Sequence, residues 1–178
     1  MQFMKIIEFE GEKYLVRDDG SITDMIGIDV SKDIFLKIAS NQFSLDDYQN
    51  KSSKELIEAI KFYKTHEIFS LAQTLILFGL NKFNNDFLYI RTVLPILTSC
   101  YRKIHQPEEA IKIVKQYANE ITKSPALYVS AAAAYCDMGD YINARKCANV
   151  AYAQLADLSD EYKIEIRNVY RRIEAETK

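Results

Sequence analysis

The sequence predicts an all-α chain of stacked helical hairpins behind a short α+β preface, and three observations predict it. A tyrosine is followed nine residues later by an alanine three times: Tyr63 and Ala72, Tyr101 and Ala110, Tyr135 and Ala144. Capping residues bracket the segments that carry these pairs. Ser130–Gln154 packs small residues on both sides of Gly139-Asp140. Two helices approach closely only where the facing side chains are small, and alanine is also the best helix former.

The elements follow in order. "MKIIEFEGEKYLVRDDGSI" reads as two strands, Lys5–Phe9 and Lys13–Arg17, around Gly11 and closed by an Asp18-Asp19-Gly-Ser turn. Next comes a short helix capped by Ser31 that presents Ile34, Phe35 and Ile38, then one more turn at "SLDDY". Ser52 and Glu55 form a capping box, opening a helix over 53–65, with a second over 67–81. A loop at 81–86 precedes a helix over 88–104. Pro95 falls inside it and should kink or shorten it, because proline lacks the backbone donor and clashes one turn back. Pro107 with Glu108 and Glu109 opens a helix over 107–121. Ser124 and Pro125 open 125–138, Gly139 stops it in a left-handed turn, and Asp140 caps 141–156. Ser159 starts a last helix over 160–176.

The phase of these elements carries a resemblance. In the third hairpin the marked positions are Tyr128, Ala131, Ala132, Tyr135, Gly139, Tyr141, Ala144, Ala148 and Ala151. In the second they are Leu94, Leu97, Tyr101, Pro107, Ala110 and Val114, and in the first Leu56, Ala59, Tyr63, Phe69, Ala72 and Gly79. This pattern resembles the tetratricopeptide repeat family over residues 52–157, although the usual aromatic–Leu–Gly opening is incomplete in every repeat. The resemblance implies a right-handed superhelical array of three hairpins at 51–178, closed by the solvent-facing cap helix such arrays need. The α+β segment covers 1–50.

It also implies a concave docking face built by the first helix of each hairpin. The implied positions are Lys54, Ile57, Glu58 and Lys61, then Thr92, Pro95, Ile96 and Ser99, then Ala126, Val129, Ser130 and Ala133. A carboxylate clamp of the kind some family members use is disfavoured, since only Lys54 and Lys61 suit it. The groove suits a partner's apolar or helical segment. It could equally be filled by the chain's own N-terminal segment, with Phe35 and Ile38 as plugs.

Bulk composition bounds the function. The chain has 178 residues, 48% of them apolar and 27% charged, with a net charge of −2. No global charge points to nucleic acid or an anionic membrane. Residues 1–50 carry ten acids and five bases, about −5, and the rest about +3. Cys100, Cys136 and Cys147 are odd in number and lack CxxC spacing. With no apolar signal segment at the start, a cytoplasmic location with free thiols is expected. The longest apolar run, Ile68–Leu80, is too short to span a bilayer.

Chemistry is sparse. His66 and His105 fall in inter-helix turns with only Glu67 near them, so no metal is expected. No phosphate loop or activated nucleophile is found, and Asp46-Asp47, like Asp18-Asp19, reads as turn and helix-start acids. The expected function is a non-enzymatic adaptor without cofactor that binds another protein or peptide, with homo-oligomerisation through the N-terminal ribbon or the last helix plausible. The alternative is a regulatory module that binds nucleic acid through Lys163, Arg167, Arg171 and Arg172 on the last helix. Glu161, Glu165 and Glu174 interleave with these bases, and i,i+4 pairing within that helix explains the pattern without nucleic acid.

Overall fold

The computed structural model describes residues 5–17, 20–117 and 123–176. Asp18-Asp19 and the end of the helix predicted to reach 121 lie outside the described residues. The chain divides into two compact parts, Met1–Gln49 and Asn50–Lys178.

The first part opens with an antiparallel hairpin of β1 (Lys5–Phe9) and β2 (Glu12–Val16), in register from Lys5↔Val16 to Phe9↔Glu12. Both loop residues have positive φ, Glu10 at 52° and Gly11 at 84°. A two-residue loop of this hand matches the twist of the flanking strands. A third strand, β3 (Ile22–Asp24), pairs with β2 and buries Ile22 and Thr23. The sequence reading missed it, because three residues are too few to show alternation. Ser31 caps α1 (Lys32–Gln42), its hydroxyl accepting from the Ile34 N–H, and Phe35 and Ile38 are buried. A 3-10 turn at Leu45–Tyr48 follows.

The second part is helical: α2 (Ser53–Thr65), α3 (Phe69–Lys82), α4 (Phe87–Lys103), α5 (Pro107–Tyr117), α6 (Pro125–Asp137), α7 (Tyr141–Tyr152) and α8 (Asp160–Glu176). The caps are local chemistry. At Ser52 the backbone N–H donates to Glu55 Oε2 at 2.9 Å, and the Glu55 N–H donates back to the serine hydroxyl at 3.3 Å. Those bonds from Ser52, helped by Lys51, hold the Glu55 carboxyl far below the usual carboxylate range, at about 2. Asp86, Ser124 and Asp140 cap α4, α6 and α7 with one bond each, the side-chain oxygen accepting from the backbone N–H three residues on. Pro95 does not shorten α4, which runs unbroken for 17 residues. The ring removes only the bond to the Arg91 carbonyl.

Helices pair as α2 with α3, α4 with α5, and α6 with α7. Each later odd-even step repeats one pattern: α3 touches α4, α5 touches α6, and α7 touches α8. The first helices also touch in sequence, α2 with α4, α4 with α6, and α6 with α8. Ala72, Ala110 and Ala144 are fully buried, as a close crossing of helix backbones requires.

The three turns inside the hairpins repeat bond for bond. Ile68, Gln106 and Asp140 donate their N–H groups to the carbonyls of Tyr63, Tyr101 and Tyr135 at 2.8, 2.8 and 2.9 Å. Glu67, His105 and Gly139 donate to Lys64, Arg102 and Cys136, and all three have positive φ, at 60°, 60° and 75°. This is the Schellman helix stop, whose left-handed residue is most often glycine. The third turn has glycine there; the first two use a side-chain-bearing residue at a cost of about 1 kcal/mol each. His105→Gly is therefore expected to raise the unfolding free energy by about 1 kcal/mol, and Gly139→Ala to lower it by about as much. Urea unfolding checks both; an unchanged midpoint for His105→Gly would contradict the strained turn.

Candidate docking surface

The face implied by the repeat positions is not uniform. On α2, Lys54, Glu58 and Lys61 are exposed and Ile57 half-buried; on α4, Thr92 and Ser99 are half-buried, as is Ala126 on α6. Ile96 is 6% exposed and Pro95 is buried. Val129, Ser130 and Ala133 are shut away, at 0, 0 and 1% exposure. These five positions, Pro95, Ile96, Val129, Ser130 and Ala133, are therefore corrected from groove to interior. For Val129 and Ala133 the cause is plain: they pack in one apolar cluster with Ala132, Cys136, Leu158, Ile166, Val169 and Ile173. The last helix, packed on α6 and α7, covers these positions.

How α8 is seated follows from its charges. In chain order it reaches all three first helices. Glu161 meets Lys64 of α2 at 2.5 Å, Glu165 meets Arg102 of α4 at 2.5 Å, and Arg172 meets Asp137 of α6 at 2.7 Å. Arg102 bridges further to Asp137 at 2.6 Å. Burial pulls the Arg102 guanidinium toward the neutral form, but its bonds and charges with Asp137 and Glu165 outweigh that and raise its pKa. Below this network lies Tyr162, whose phenol burial pushes up, with Glu161 and Glu165 adding to the rise. The Tyr162 hydroxyl faces Ser130 closely enough to check that rise, but not in the geometry of a formed hydrogen bond. Burial also pushes the Cys100 thiol up to about 12, against the opposing charge of Lys64.

Lys64, Arg102, Asp137 and Glu165 did not stand out in the sequence. A signal was present: Lys64 and Arg102 each follow the repeat tyrosine, so one repeat position is basic in two successive hairpins. Glu161 and Glu165, one helical turn apart, answer them. Glu161 and Glu165 thus pair with neighbouring helices rather than with the bases of their own, which corrects the intrahelical reading for these two residues.

The basic residues of α8 separate. Arg167 and Arg171 are exposed, Lys163 pairs with Asp160 at 3.6 Å, and Arg172 turns to Asp137. An open polar cleft of about 620 Å³ lies beside them, lined by Arg102, Lys103, His105, Glu108, Asp137 and Arg172. Its cations face two carboxylates. The histidines sit in non-equivalent places: His66 Nδ1 lies 2.8 Å from the Phe62 carbonyl, and His105 is exposed. Among the described residues no three His, Cys, Asp or Glu side chains gather as a metal site, and no helix is long and apolar enough to cross a membrane.

Compared with protein-family models, curated proteins and solved structures, the chain matches none.

Proposed function

We propose that the chain is a non-enzymatic adaptor whose helical part is a right-handed, tetratricopeptide-like array that holds a partner's apolar or helical segment. The observation that carries this reading is the threefold recurrence of one turn, with its tyrosine carbonyl, left-handed residue and buried alanine in the same places. A regular array of first helices makes a preformed surface, and such a surface binds without large rearrangement. The free thiols Cys100, Cys136 and Cys147 fit a reducing compartment such as the cytoplasm.

The docking positions in this reading are those left accessible: Lys54, Ile57, Glu58 and Lys61 on α2, Thr92 and Ser99 on α4, and Ala126 on α6. The test is affinity capture from the chain's own cells with the wild type and with Lys54→Glu/Lys61→Glu. The charge-reversed chain should lose a captured protein while its melting temperature stays put. Identical capture by both forms would remove α2 from the docking surface.

A further inference from the structure

Three features of α8 belong together. It spans the whole row of first helices, as the ion pairs to α2, α4 and α6 show. Its apolar attachment is to α6 and α7: within the helix Ile166, Val169 and Ile173 are fully buried and Tyr162 and Tyr170 pack beside them, while Ile164 is 57% exposed. Its contacts with α2 and α4 are carried by carboxylates on cations, which a different helix bearing the same groups could replace. The surface beneath it, Val129, Ala132 and Ala133 of α6 with Ala144, Ala148 and Ala151 of α7, is small and neutral, and it admits a helix whose apolar stripe fits between those two helices.

We infer that α8 is an internal ligand of the docking face, displaced by a partner's amphipathic helix with apolar residues spaced as Ile166, Val169 and Ile173 and carboxylates spaced as Glu161 and Glu165. This rests on the adaptor reading and names the chemistry of its partner. Lys64 and Arg102 select the acids, since a helix with bases there would leave two cations facing cations. The apolar stripe fixes the register, because a helix slipped by one residue presents a different face. A resident helix of this kind lowers a partner's apparent affinity by the fraction of time the face is covered. Weak mimics are thereby excluded, and helices that reproduce both the stripe and the acids are admitted.

The experiment uses the full-length chain and a dye-labelled synthetic peptide of residues 158–176 as probe. Binding is read by anisotropy and seating of α8 by amide hydrogen exchange. In the wild type the α8 amides should exchange at least tenfold faster than those of α6. The chain carrying Glu161→Lys and Glu165→Lys should bind the peptide at least tenfold more tightly than the wild type does, and a peptide with both lysines should bind neither. The inference is overturned if α8 and α6 exchange together in the wild type, a readout that does not depend on the variant folding. It is also overturned if a folded variant with a released α8 takes no peptide. Dimers of the variant that exclude the peptide would make a second copy's α8 the occupant, and that too overturns it. These results are independent of the capture experiment: a fixed α8 beside capture that depends on Lys54 and Lys61 leaves the adaptor standing with α8 as a wall.

Discussion

Val129→Glu is expected to destabilise the helical part by about 4 kcal/mol, because a carboxylate would replace a side chain with no exposure at all. Val129 sits in the cluster that joins α6 to Ile166, Val169 and Ile173 of α8. The new carboxylate has no cation within that cluster, so it either stays charged without a partner or takes up a proton at neutral pH, and both are unfavourable. A milder change separates packing from charge: Val129→Ala should cost about 2 kcal/mol by leaving a cavity. Chemical denaturation followed by circular dichroism measures both. Had Val129 been an open groove position, glutamate there would change stability by no more than about 0.5 kcal/mol, as ordinary surface substitutions do. That outcome would unseat α8 from α6.

Gly79→Ala should be the second large loss, and here two effects oppose each other. In a helix interior alanine is favoured over glycine by about 1 kcal/mol. At Gly79, however, a β-carbon would fall on the Tyr89 hydroxyl, 2.5 Å from the ring carbon that bears it and 2.6 Å from Leu56 Cδ2. Tyr89 cannot swing out: it is 1% exposed and packs on the Phe83 ring, with centroids 5.3 Å apart. Overpacking of that kind costs about 3 kcal/mol, so a net loss of about 2 kcal/mol is expected. The Tyr89 hydroxyl is buried without a hydrogen-bond partner. Tyr89→Phe alone should therefore be neutral or stabilising by about 1 kcal/mol. In the Gly79→Ala background it should recover only part of the loss, because the ring carbon and Leu56 still collide. A double-mutant cycle in urea measures the coupling; full recovery would mean that Leu56 moves aside.

The helices were legible because their ends are written in short-range chemistry. Ser52, Ser124 and Asp140 each satisfy a donor three residues away, and Ser53–Thr65 and Asp160–Glu176 begin and end where the sequence places them. The hairpin turns were half legible. Gly139 announced its left-handed stop, but Glu67 and His105 occupy the same conformation without any residue preference to betray them. Pro95 does not shorten its helix, because a helix packed on both sides tolerates the loss of one backbone bond. The docking face was the least legible part. Repeat phase can place Val129 and Ala133 on one side of α6, but it cannot say which helix, 30 or more residues later, covers that side. That fact resides in pairs such as Arg102 with Glu165 and Lys64 with Glu161, and such long-range pairs leave no periodic trace in one sequence.

The ion pairs that hold α8 are not equally sheltered, and dissolved salt should tell them apart. Lys64 and Glu161 keep 23 and 65% of their side-chain surface in water, whereas Arg102 and Glu165 keep 14 and 27%. Mobile counter-ions weaken exposed charges first, over a Debye length of about 8 Å at physiological ionic strength. As salt rises, the N-terminal turn of α8 should come away from α2 before the middle of the helix leaves α4. A groove would then widen at the C-terminal end of α2, where Lys64 sits.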